Sequence, residues 1–260
     1  MTSGDAAVAI EAAEAGSAVV AAAYGKEQVR YAKSATDFAT QTDLDAERAI
    51  VAVLSARRPD DAREGEEFGR SGPATATRRW LIDPLCGTLN FGAVTPLLAV
   101  NVALLDGDRA LAAASVDPIA KEIFWTDGRS AQVRRRGHDH RLVPSPATGL
   151  VEINLDRSGD APTVSDRLIA DAGFRAHYPP RVLSSTLAVA WVAAGRRAGY
   201  VSDGRLRGDV HFAAGLAIAQ AAGCIVTDLS GGPLHQGEGL VLSASEQVHA
   251  DLLGHVARLR

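Results

Sequence analysis

Several features are scarce or absent in this chain of 260 residues, and each absence argues against a particular class of protein or partner. The only two cysteines, Cys86 and Cys224, lie far apart, which predicts free thiols in a reducing, cytoplasmic protein rather than a disulfide framework. Basic residues are not in excess, because the net charge is −4 and the pI is near 6.0. No global field therefore favours nucleic acid or an anionic membrane, and we expect neither as a partner. No repeat of fixed period and no low-complexity tract occurs.

A long uncharged apolar run is also missing from the N-terminal region. Residues 1–24 contain apolar stretches such as "AVVAAAY", but Asp5, Glu11 and Glu14 interrupt them and no basic segment precedes them. We therefore predict an amphipathic helix that ends near Gly25, rather than a signal peptide or a membrane anchor.

The rest of the chain has an ordinary globular composition, with 47% hydrophobic and 22% charged residues. A second helix is predicted over "DLDAERAIVAVLSARRP", with Asp43 or Asp45 as its N-cap. The stretch "EGEEFGRSGPATATRR" predicts a polar loop, and "WLIDP" predicts a short buried strand. A hairpin is expected around Asp106, Gly107 and Asp108, and a second one over "KEIFWTDGRSAQVRRRG".

The second half alternates in the same way. Short strands and turns are expected between 146 and 180, then a helix and a strand, a helix and a strand again, and a final helix from about Glu246 to Arg258. This alternation predicts a layered α/β or α+β domain. We expect one domain over 1–260, with an N-terminal half at 1–145 and a C-terminal half at 146–260.

Acidic residues recur in four short motifs that lie far apart in the sequence. The motifs are "DFATQTD", "EGEE", "IDP" and "GDVHF". Hard divalent cations such as Mg²⁺ prefer several oxygen ligands and retain water, which leaves room for a substrate phosphate. Gly87 and Thr88 are expected at a helix start, where backbone N–H groups and a hydroxyl can meet phosphate oxygens. Each motif alone is weak evidence, since an Asp-Pro is usually a turn and a glutamate run is usually a solvated loop.

The order of these motifs is more specific than any one of them. "WLIDPLCGTLNF" is similar to W-x-I-D-P-x-D-G-T-x-N-F, and "DFATQTD" is similar to D-L-V-T-x-x-D. "SVDPIAKEIFWTDGRSA", "RVLSSTLAVAWVAAGRRAGYV" and "HFAAGLAIAQAAGCIVTDLSGGPL" resemble further motifs of the same family in the same order. Over nearly its whole length, the chain resembles the inositol monophosphatase family of metal-dependent, lithium-sensitive phosphatases.

This resemblance implies an α/β fold, a layered αβαβα sandwich of the inositol monophosphatase and fructose-1,6-bisphosphatase type. It also implies a homodimer that hydrolyses a small phosphorylated substrate with two or three Mg²⁺ ions. Carried onto this chain, it implies a first metal environment and a phosphate site. The first metal would be held by Glu66, Asp83, the Leu85 carbonyl and Thr88, with Asp43 in support, and phosphate by Gly87 and Thr88.

The resemblance breaks at the second metal. Its ligands would be Asp83, the residue at position 86 and the residue four before Gly215, where this chain has Cys86 and His211 instead of two acids. Asp209 takes the latter place only if the loop shifts the helix start. A sugar-contacting acid of the family is also replaced, by Ser202 with Asp203 beside it as a candidate substrate contact.

Three interpretations of Cys86 stay open at this point. Cys86 and His211 are softer ligands, which suit Zn²⁺ or Fe²⁺ better than Mg²⁺, and Mn²⁺ or Zn²⁺ are the expected alternatives to Mg²⁺. Alternatively, the expected helix N-terminus lowers the pKa of Cys86 and makes it the group of a different reaction. In the third interpretation Cys86 is a small buried residue and the second metal is lost.

The sequence therefore favours a phosphate monoesterase acting on a small polyol, sugar or nucleotide phosphate, with an altered second metal site. The alternatives are an impaired relative that binds a phosphate ligand or serves as a structural partner, and a different reaction that uses Cys86.

Overall fold

The structure, a computed structural model, describes residues 4–34, 37–156, 162–183, 185–204, 206, 208–234 and 236–260. These residues form two compact units. The first draws on Met1–Arg141, Ser185–Leu187 and Val210–Ile218, and the second on the remaining segments. The main division therefore falls after Arg141, and two short later segments join the first unit.

The first unit is built on an eight-stranded sheet. Its helices are α1 (Asp5–Ala23), α2 (Gln41–Arg57) and α3 (Thr88–Gly92). Its strands are β1 (Arg30–Ala32), β2 (Phe38–Thr40), β3 (Ala62–Gly65), β4 (Gly69–Ser71), β5 (Arg78–Cys86), β6 (Ala99–Asp106), β7 (Arg109–Asp117), β8 (Glu122–Thr126), β9 (Ala131–Arg135) and β10 (His138–Arg141). The sheet order is β10-β9-β8-β7-β6-β5-β3-β4, while β1 and β2 form a separate pair.

Helix α1 packs against α2 and the centre of this sheet. Val8, Ile10 and Val20 of α1 are buried with Trp80 and Leu104 from strands β5 and β6. By length and composition α1 is the one helix of the described residues that could cross a membrane, and more than a third of its apolar window is buried within the structure. The predicted helix and its end near Gly25 are confirmed, and its apolar residues contribute to the core.

The second helix begins earlier than predicted. Its N-cap is Thr40 rather than Asp43 or Asp45. Asp43 stands three residues inside the helix, and its Oδ2 accepts hydrogen bonds from the backbone N–H of Thr40 at 2.7 Å and from its hydroxyl at 2.5 Å. This is a capping box, in which the acid three residues into the helix satisfies the N-cap amide.

The predicted hairpins at Asp106–Asp108 and over residues 121–137 are confirmed as β6–β7 and β8–β9. The prediction of a continuous polar loop over 64–79 is wrong at its start. Strand β3 pairs in parallel with β5, and β4 adds an antiparallel edge. Backbone pairing with the buried strand β5 overrides the low strand propensity of this glutamate- and glycine-rich stretch.

The second unit is built on a smaller mixed sheet. Its strands are β11 (Val151–Ile153), β12 (Pro180–Val182), β13 (Gly199–Ser202), β14 (Ile225–Thr227) and β15 (Leu240–Ser243), in the order β12-β11-β13-β15-β14. Its helices are α4 (Val164–Ala170), α5 (Ala172–His177) and α8 (Glu246–Leu259), while α6 (Leu187–Ala193) and α7 (Val210–Ala222) each begin within the first unit's segments and end in the second. Its core includes Ile153, Leu168, Phe174, Val241 and Leu252.

Most of the C-terminal pattern is as expected, including α6–β13, α7–β14 and the final helix. The exception lies between 146 and 180, where strand β11 is accompanied by two short helices. Each helix has a side-chain cap: Thr163 accepts from the Asp166 amide, and Asp171 accepts from the Phe174 amide. These caps stabilise two short helices that the weak hydrophobic periodicity of this segment did not predict.

Gly65 offers a direct test of the packing between β3 and α2. A Cβ at this position would lie 1.8 Å from Oε1 of Glu47, which is 1% exposed. We expect Gly65→Ala to lower the free energy of unfolding by about 1–3 kcal/mol, as overpacking does, measured by urea denaturation. Gly4→Ala is the control, because no atom lies within 4 Å of its Cβ position and its φ is −60°. Equal, small losses for both variants would contradict a tight fit between Gly65 and Glu47.

Candidate metal and phosphate site

Three ligand-bearing side chains of the first unit converge at one place. One ligand atom each from Glu66, Asp83 and His211 lie within 4.8 Å of one another. Nδ1 of His211 lies 2.9 Å from Oδ2 of Asp83 and 3.8 Å from Oε2 of Glu66. Among the residues that the structure describes, this is the one cluster of three or more such side chains.

An irregularity in strand β5 aims Asp83 at this place. Asp83 pairs with Asn101 on β6, but the next pair along the strand is Cys86 with Ala99, so the register shifts between them. Bulges of this kind redirect side chains at functional sites. The carboxylate is fully buried. Its Oδ1 accepts from the Leu85 amide at 3.2 Å, which fixes its orientation.

Glu66 is held beside Asp83 by the turn that follows β3. Burial and the charge of Asp83 raise the pKa of Glu66 to about 8. Lys33 lies against it, with Nζ 2.6 Å from a carboxylate oxygen of Glu66 and 2.6 Å from one of Glu67. Burial lowers the pKa of Lys33, but its hydrogen bonds to these two glutamates outweigh that effect and raise it above its usual value. Excess negative charge in this cluster is therefore offset in part by an ammonium group.

The turn that carries this glutamate depends on a second buried carboxylate. Glu47 of α2 accepts from the backbone N–H groups of Glu67 at 2.8 Å and Phe68 at 3.1 Å. These bonds fix the turn and hence the position of Glu66. Burial raises the pKa of Glu47 above its usual value, despite these two bonds.

The expected phosphate segment begins helix α3. Gly87 is its N-cap, with φ 95° in the left-handed region that favours glycine. The Thr88 hydroxyl lies 3.0 Å from Oδ1 of Asp43 and 3.1 Å from the Leu85 carbonyl oxygen, so it can donate to either. Burial raises the pKa of Asp43, in spite of its bonds from Thr40 and Thr88. The structure thus brings Asp43, Leu85 and Thr88 together by hydrogen bonds.

Cys86 lies outside the three-residue cluster and is hydrogen-bonded to Thr186. Its sulfur accepts hydrogen bonds from the Thr186 backbone N–H at 3.2 Å and the Thr186 hydroxyl at 3.0 Å. Burial first, and then the charge of Asp83, raise the pKa of its thiol well above the usual value. The predicted fall of the Cys86 pKa at a helix N-terminus is therefore wrong, because burial beside carboxylates outweighs the weak field of a five-residue helix.

Two further candidates from the sequence lie in the second unit. Asp209 is not a member of the cluster, whereas His211 is. The two carboxylate oxygens of Asp203 accept hydrogen bonds from backbone amides at the start of helix α4, one from Val164 at 3.2 Å and one from Ser165 at 2.9 Å. A substrate contact by Asp203 stays a prediction.

Sequence reasoning missed Lys33, Asn101 and Thr186, all of which touch cluster residues or Cys86. Lys33 belongs to no recognisable motif, and Asn101 stands inside an apolar stretch that predicts a strand. Thr186 lies in "RVLSSTLAVAWVAAGRRAGYV", which contributes only its resemblance to the family. Their roles arise from contacts between residues up to 100 positions apart, which no local pattern encodes.

Comparison with known proteins decides the family. The sequence pattern of the inositol monophosphatase family matches residues 3–259 of the chain. The chain belongs to the inositol monophosphatase family. It is 31% identical over 235 residues to the inositol-1-monophosphatase of Caulobacter vibrioides, which covers 85% of this chain and 88% of that protein. It is 33% identical over 239 residues to the probable inositol 1-monophosphatase ImpA of Mycobacterium tuberculosis, covering 85% and 82%.

A solved structure confirms the fold class. The extragenic suppressor protein suhB from Bartonella henselae matches with a TM-score of 0.84 and 26% identity, covering 96% of this chain and 97% of that one. The expected α/β fold of the inositol monophosphatase and fructose-1,6-bisphosphatase type is therefore confirmed, and so is the assignment to a family of phosphatases.

Family members are metal-dependent, and the chemistry of this cluster suits a cation. Two carboxylates and an imidazole converge, and the pKa of Glu66 is raised by burial and by an adjacent carboxylate. A divalent cation would relieve that repulsion, and all three side chains are common ligands.

The raised pKa of Glu66 predicts how the metal-free protein responds to pH. Between the usual value of 4.5 and about 8, the folded state binds the Glu66 proton and the unfolded state does not. Stability should therefore fall as pH rises through this window and level off above it. We expect the melting temperature in the presence of a chelator to fall by several degrees between pH 5 and pH 8 (~1 kcal/mol shifts Tm by ~2–4 °C in a chain of similar size).

Two comparisons make this result specific to Glu66. Glu66→Gln should flatten the pH response, because the titrating group is gone. Excess Mg²⁺ should flatten it as well, since a bound cation keeps the carboxylate ionised at lower pH. An equally steep fall in Glu66→Gln would assign the pH dependence to another group.

Proposed function

We propose that this protein is a metal-dependent phosphate monoesterase for a small phosphorylated substrate, a polyol, sugar or nucleotide phosphate, and that its second metal site is altered. The observation that carries this proposal is the convergence of Glu66, Asp83 and His211 within 4.8 Å, beside the hydrogen-bonded Thr88 and Asp43. Two relatives named as inositol 1-monophosphatases support the reaction class.

The residues proposed to hold the first cation are Glu66, Asp83, the Leu85 carbonyl and Thr88. When bound, a divalent cation would supply Lewis-acid stabilisation of charge on phosphoryl oxygens. His211 and Cys86 stand where the family pattern has acids, so the second position offers softer ligands than the first. We infer Mg²⁺ at the first position, and Mn²⁺ or Zn²⁺ at the second position, where nitrogen and sulfur atoms would be ligands.

The chain's own groups account for positioning the reactants. The Thr88 hydroxyl can give its hydrogen bond to Asp43, which leaves its oxygen free to accept one from the attacking water. Asp43 is itself fixed by both donors of Thr40, so the orientation of Thr88 is set before substrate arrives. Gly87 leaves the backbone open for close approach by phosphate, since it has no side chain.

Asp83→Asn tests the proposal at its centre. The change keeps the shape of the side chain but removes the negative charge that a cation needs. We expect phosphate release from a mixed panel of phosphate esters to fall by more than about 100-fold, because even outer-shell partners of metal ligands typically account for ~10–100-fold. Metal content by mass spectrometry should fall in parallel.

Asp127→Asn is the matched control, because Asp127 lies in the exposed β8–β9 turn, where its Oδ1 accepts hydrogen bonds from the amides of Arg129 and Ser130 and from the Ser130 hydroxyl. It should keep full activity. Metal and phosphate binding without turnover by the unmodified protein, under Mg²⁺, Mn²⁺ and Zn²⁺ alike, would instead support the impaired, ligand-binding relative.

A reaction that uses the Cys86 thiolate is the remaining alternative. Burial argues against it, since the same environment that raises the pKa of the thiol disfavours its reactive form. Activity that disappears in Cys86→Ser but persists in Asp83→Asn would favour this alternative over the phosphatase.

We also propose a cytoplasmic homodimer, on the strength of the family and of two buried, unbridged cysteines. Sedimentation equilibrium should give about twice the chain mass of 27.1 kDa. A mass of one chain at all concentrations tested would contradict the dimer without bearing on the chemistry of the site.

A further inference from the structure

Asn101 places a polar side chain in the otherwise apolar centre of strand β6. It is 1% exposed, while Val100 and Val102 on either side of it belong to the hydrophobic core. Strand pairing sets Asn101 directly opposite Asp83, in the last regular pair before the register shift of β5. Directly opposed residues of antiparallel strands project to the same face of a sheet, so Asn101 lies beside the buried carboxylate.

Two contacts define the orientation of the Asn101 amide group. Its nitrogen lies 3.4 Å from Oδ2 of Asp83 and 2.9 Å from the hydroxyl oxygen of Thr186. Its oxygen is buried and has no hydrogen-bond partner among the residues that the structure describes. An amide oxygen would be repelled by the carboxylate, so the NH₂ group is the end that faces Asp83. The amide thus leaves its oxygen unpaired and directs its two N–H protons at Asp83 and Thr186.

Thr186 is itself fixed by two hydrogen bonds to one acceptor. Its backbone N–H and its hydroxyl both donate to the sulfur of Cys86, at 3.2 and 3.0 Å. Since the single hydroxyl proton is directed at sulfur, the Thr186 oxygen is left to accept from Asn101. All of these residues belong to the first unit and are buried.

The Asp83 carboxylate is restrained on both of its oxygens. Oδ1 accepts from the Leu85 amide at 3.2 Å, and Oδ2 lies 3.4 Å from the Asn101 nitrogen and 2.9 Å from Nδ1 of His211. Rotation of the carboxylate about its Cβ–Cγ bond would break these contacts. Neighbours that orient a metal ligand in this way typically account for ~10–100-fold in metal affinity.

We propose that Asn101 is a positioning residue: its NH₂ group, held in place by Thr186, fixes the Asp83 carboxylate in the orientation that receives a divalent cation. The inference rests on the proposed metal-dependent function and adds a determinant of cation affinity that is not one of the three cluster residues. No group changes its protonation in this role. Cys86 contributes as the hydrogen-bond acceptor that orients Thr186.

Cation affinity in Asn101→Leu tests this directly, because the change removes the donor and keeps a side chain of similar size. The full chain would be titrated with Mn²⁺ alone, with the free ion followed by electron paramagnetic resonance, and with Mg²⁺ by calorimetry. We expect both affinities to fall by about 10-fold or more, as for other groups that orient metal ligands.

Variants at Thr186 test the second half of the chain of hydrogen bonds. Thr186→Val should also lower the affinities, because it removes the oxygen that accepts from Asn101. Thr186→Ser keeps that oxygen and should bind both cations as the unmodified protein does. Since both residues act through one amide group, the double variant Asn101→Leu, Thr186→Val should bind as Asn101→Leu does, within a factor of about two.

Ser115→Ala is the matched control. Ser115 stands opposite Asn101 on β7, is fully buried, and its hydroxyl has no hydrogen-bond partner in the part of the chain that the structure describes. Loss of this polar atom should leave both affinities unchanged. A merely structural role of Asn101 would lower the melting temperature of the metal-free protein but not the cation affinity of the folded protein, so both are measured for every variant. Asn101→Ala provides a second variant without the donor if Asn101→Leu does not fold, as judged by circular dichroism.

Two results would overturn the inference. One is an unchanged affinity for Mn²⁺ and Mg²⁺ in the folded Asn101 variants, and the other is binding by Thr186→Ser that is as weak as binding by Thr186→Val. If phosphate release nevertheless depends on Asp83, the proposed function stands and only the role of Asn101 is lost. If the unmodified protein binds neither cation and releases no phosphate, the proposed function fails and this inference fails with it.

Discussion

Repulsion between buried carboxylates is the constraint on which the site depends. Asp83 is fully buried, the Glu66 side chain is 18% exposed, and one ligand atom of each lies within 4.8 Å of the other and of one from His211. Such a pair is unfavourable without compensation, since like charges and desolvation both disfavour ionisation. The first unit supplies part of that compensation. Lys33 pairs with Glu66 and Glu67, and both His211 and Asn101 lie within hydrogen-bond distance of Oδ2 of Asp83. A divalent cation would complete it, which is why the arrangement suits a metal-dependent phosphatase family.

The backbone has special features wherever this constraint must be met. The register shift in β5 aims Asp83, and the left-handed Gly87 turns the chain into α3 immediately afterwards. The capping box of α2 does two tasks at once, because Asp43 satisfies Thr40 with one oxygen and orients Thr88 with the other. Glu47 holds the turn after β3 by accepting two of its amides, and only a glycine at position 65 fits against it. Stability and site geometry therefore rest on the same residues.

Within the family pattern, the departures at positions 86 and 211 are not equivalent. His211 joins the cluster, with Nδ1 at 2.9 Å from Oδ2 of Asp83. Cys86 accepts hydrogen bonds from Thr186, a residue 100 positions away, and burial raises the pKa of its thiol well above the usual value. The histidine and the cysteine at these two positions thus meet different surroundings.

The sequence by itself determined the family, the α/β class, the main helices and hairpins, and the acidic motifs, because these depend on local periodicity and on motif order. It indicated Asp43, Leu85 and Thr88 as neighbours only through resemblance, and the structure joins them by hydrogen bonds. It misjudged the start of α2, the pairing of β3 and β4, and the pKa of Cys86, because capping, strand pairing and burial depend on partners distant in the chain. Only the tertiary structure decided that His211 rather than Asp209 joins the cluster, that Lys33 and Asn101 contact it, and that Thr186 donates to Cys86. The physical reason is that charge balance and hydrogen-bond direction are properties of a three-dimensional neighbourhood, which residue order constrains but does not specify.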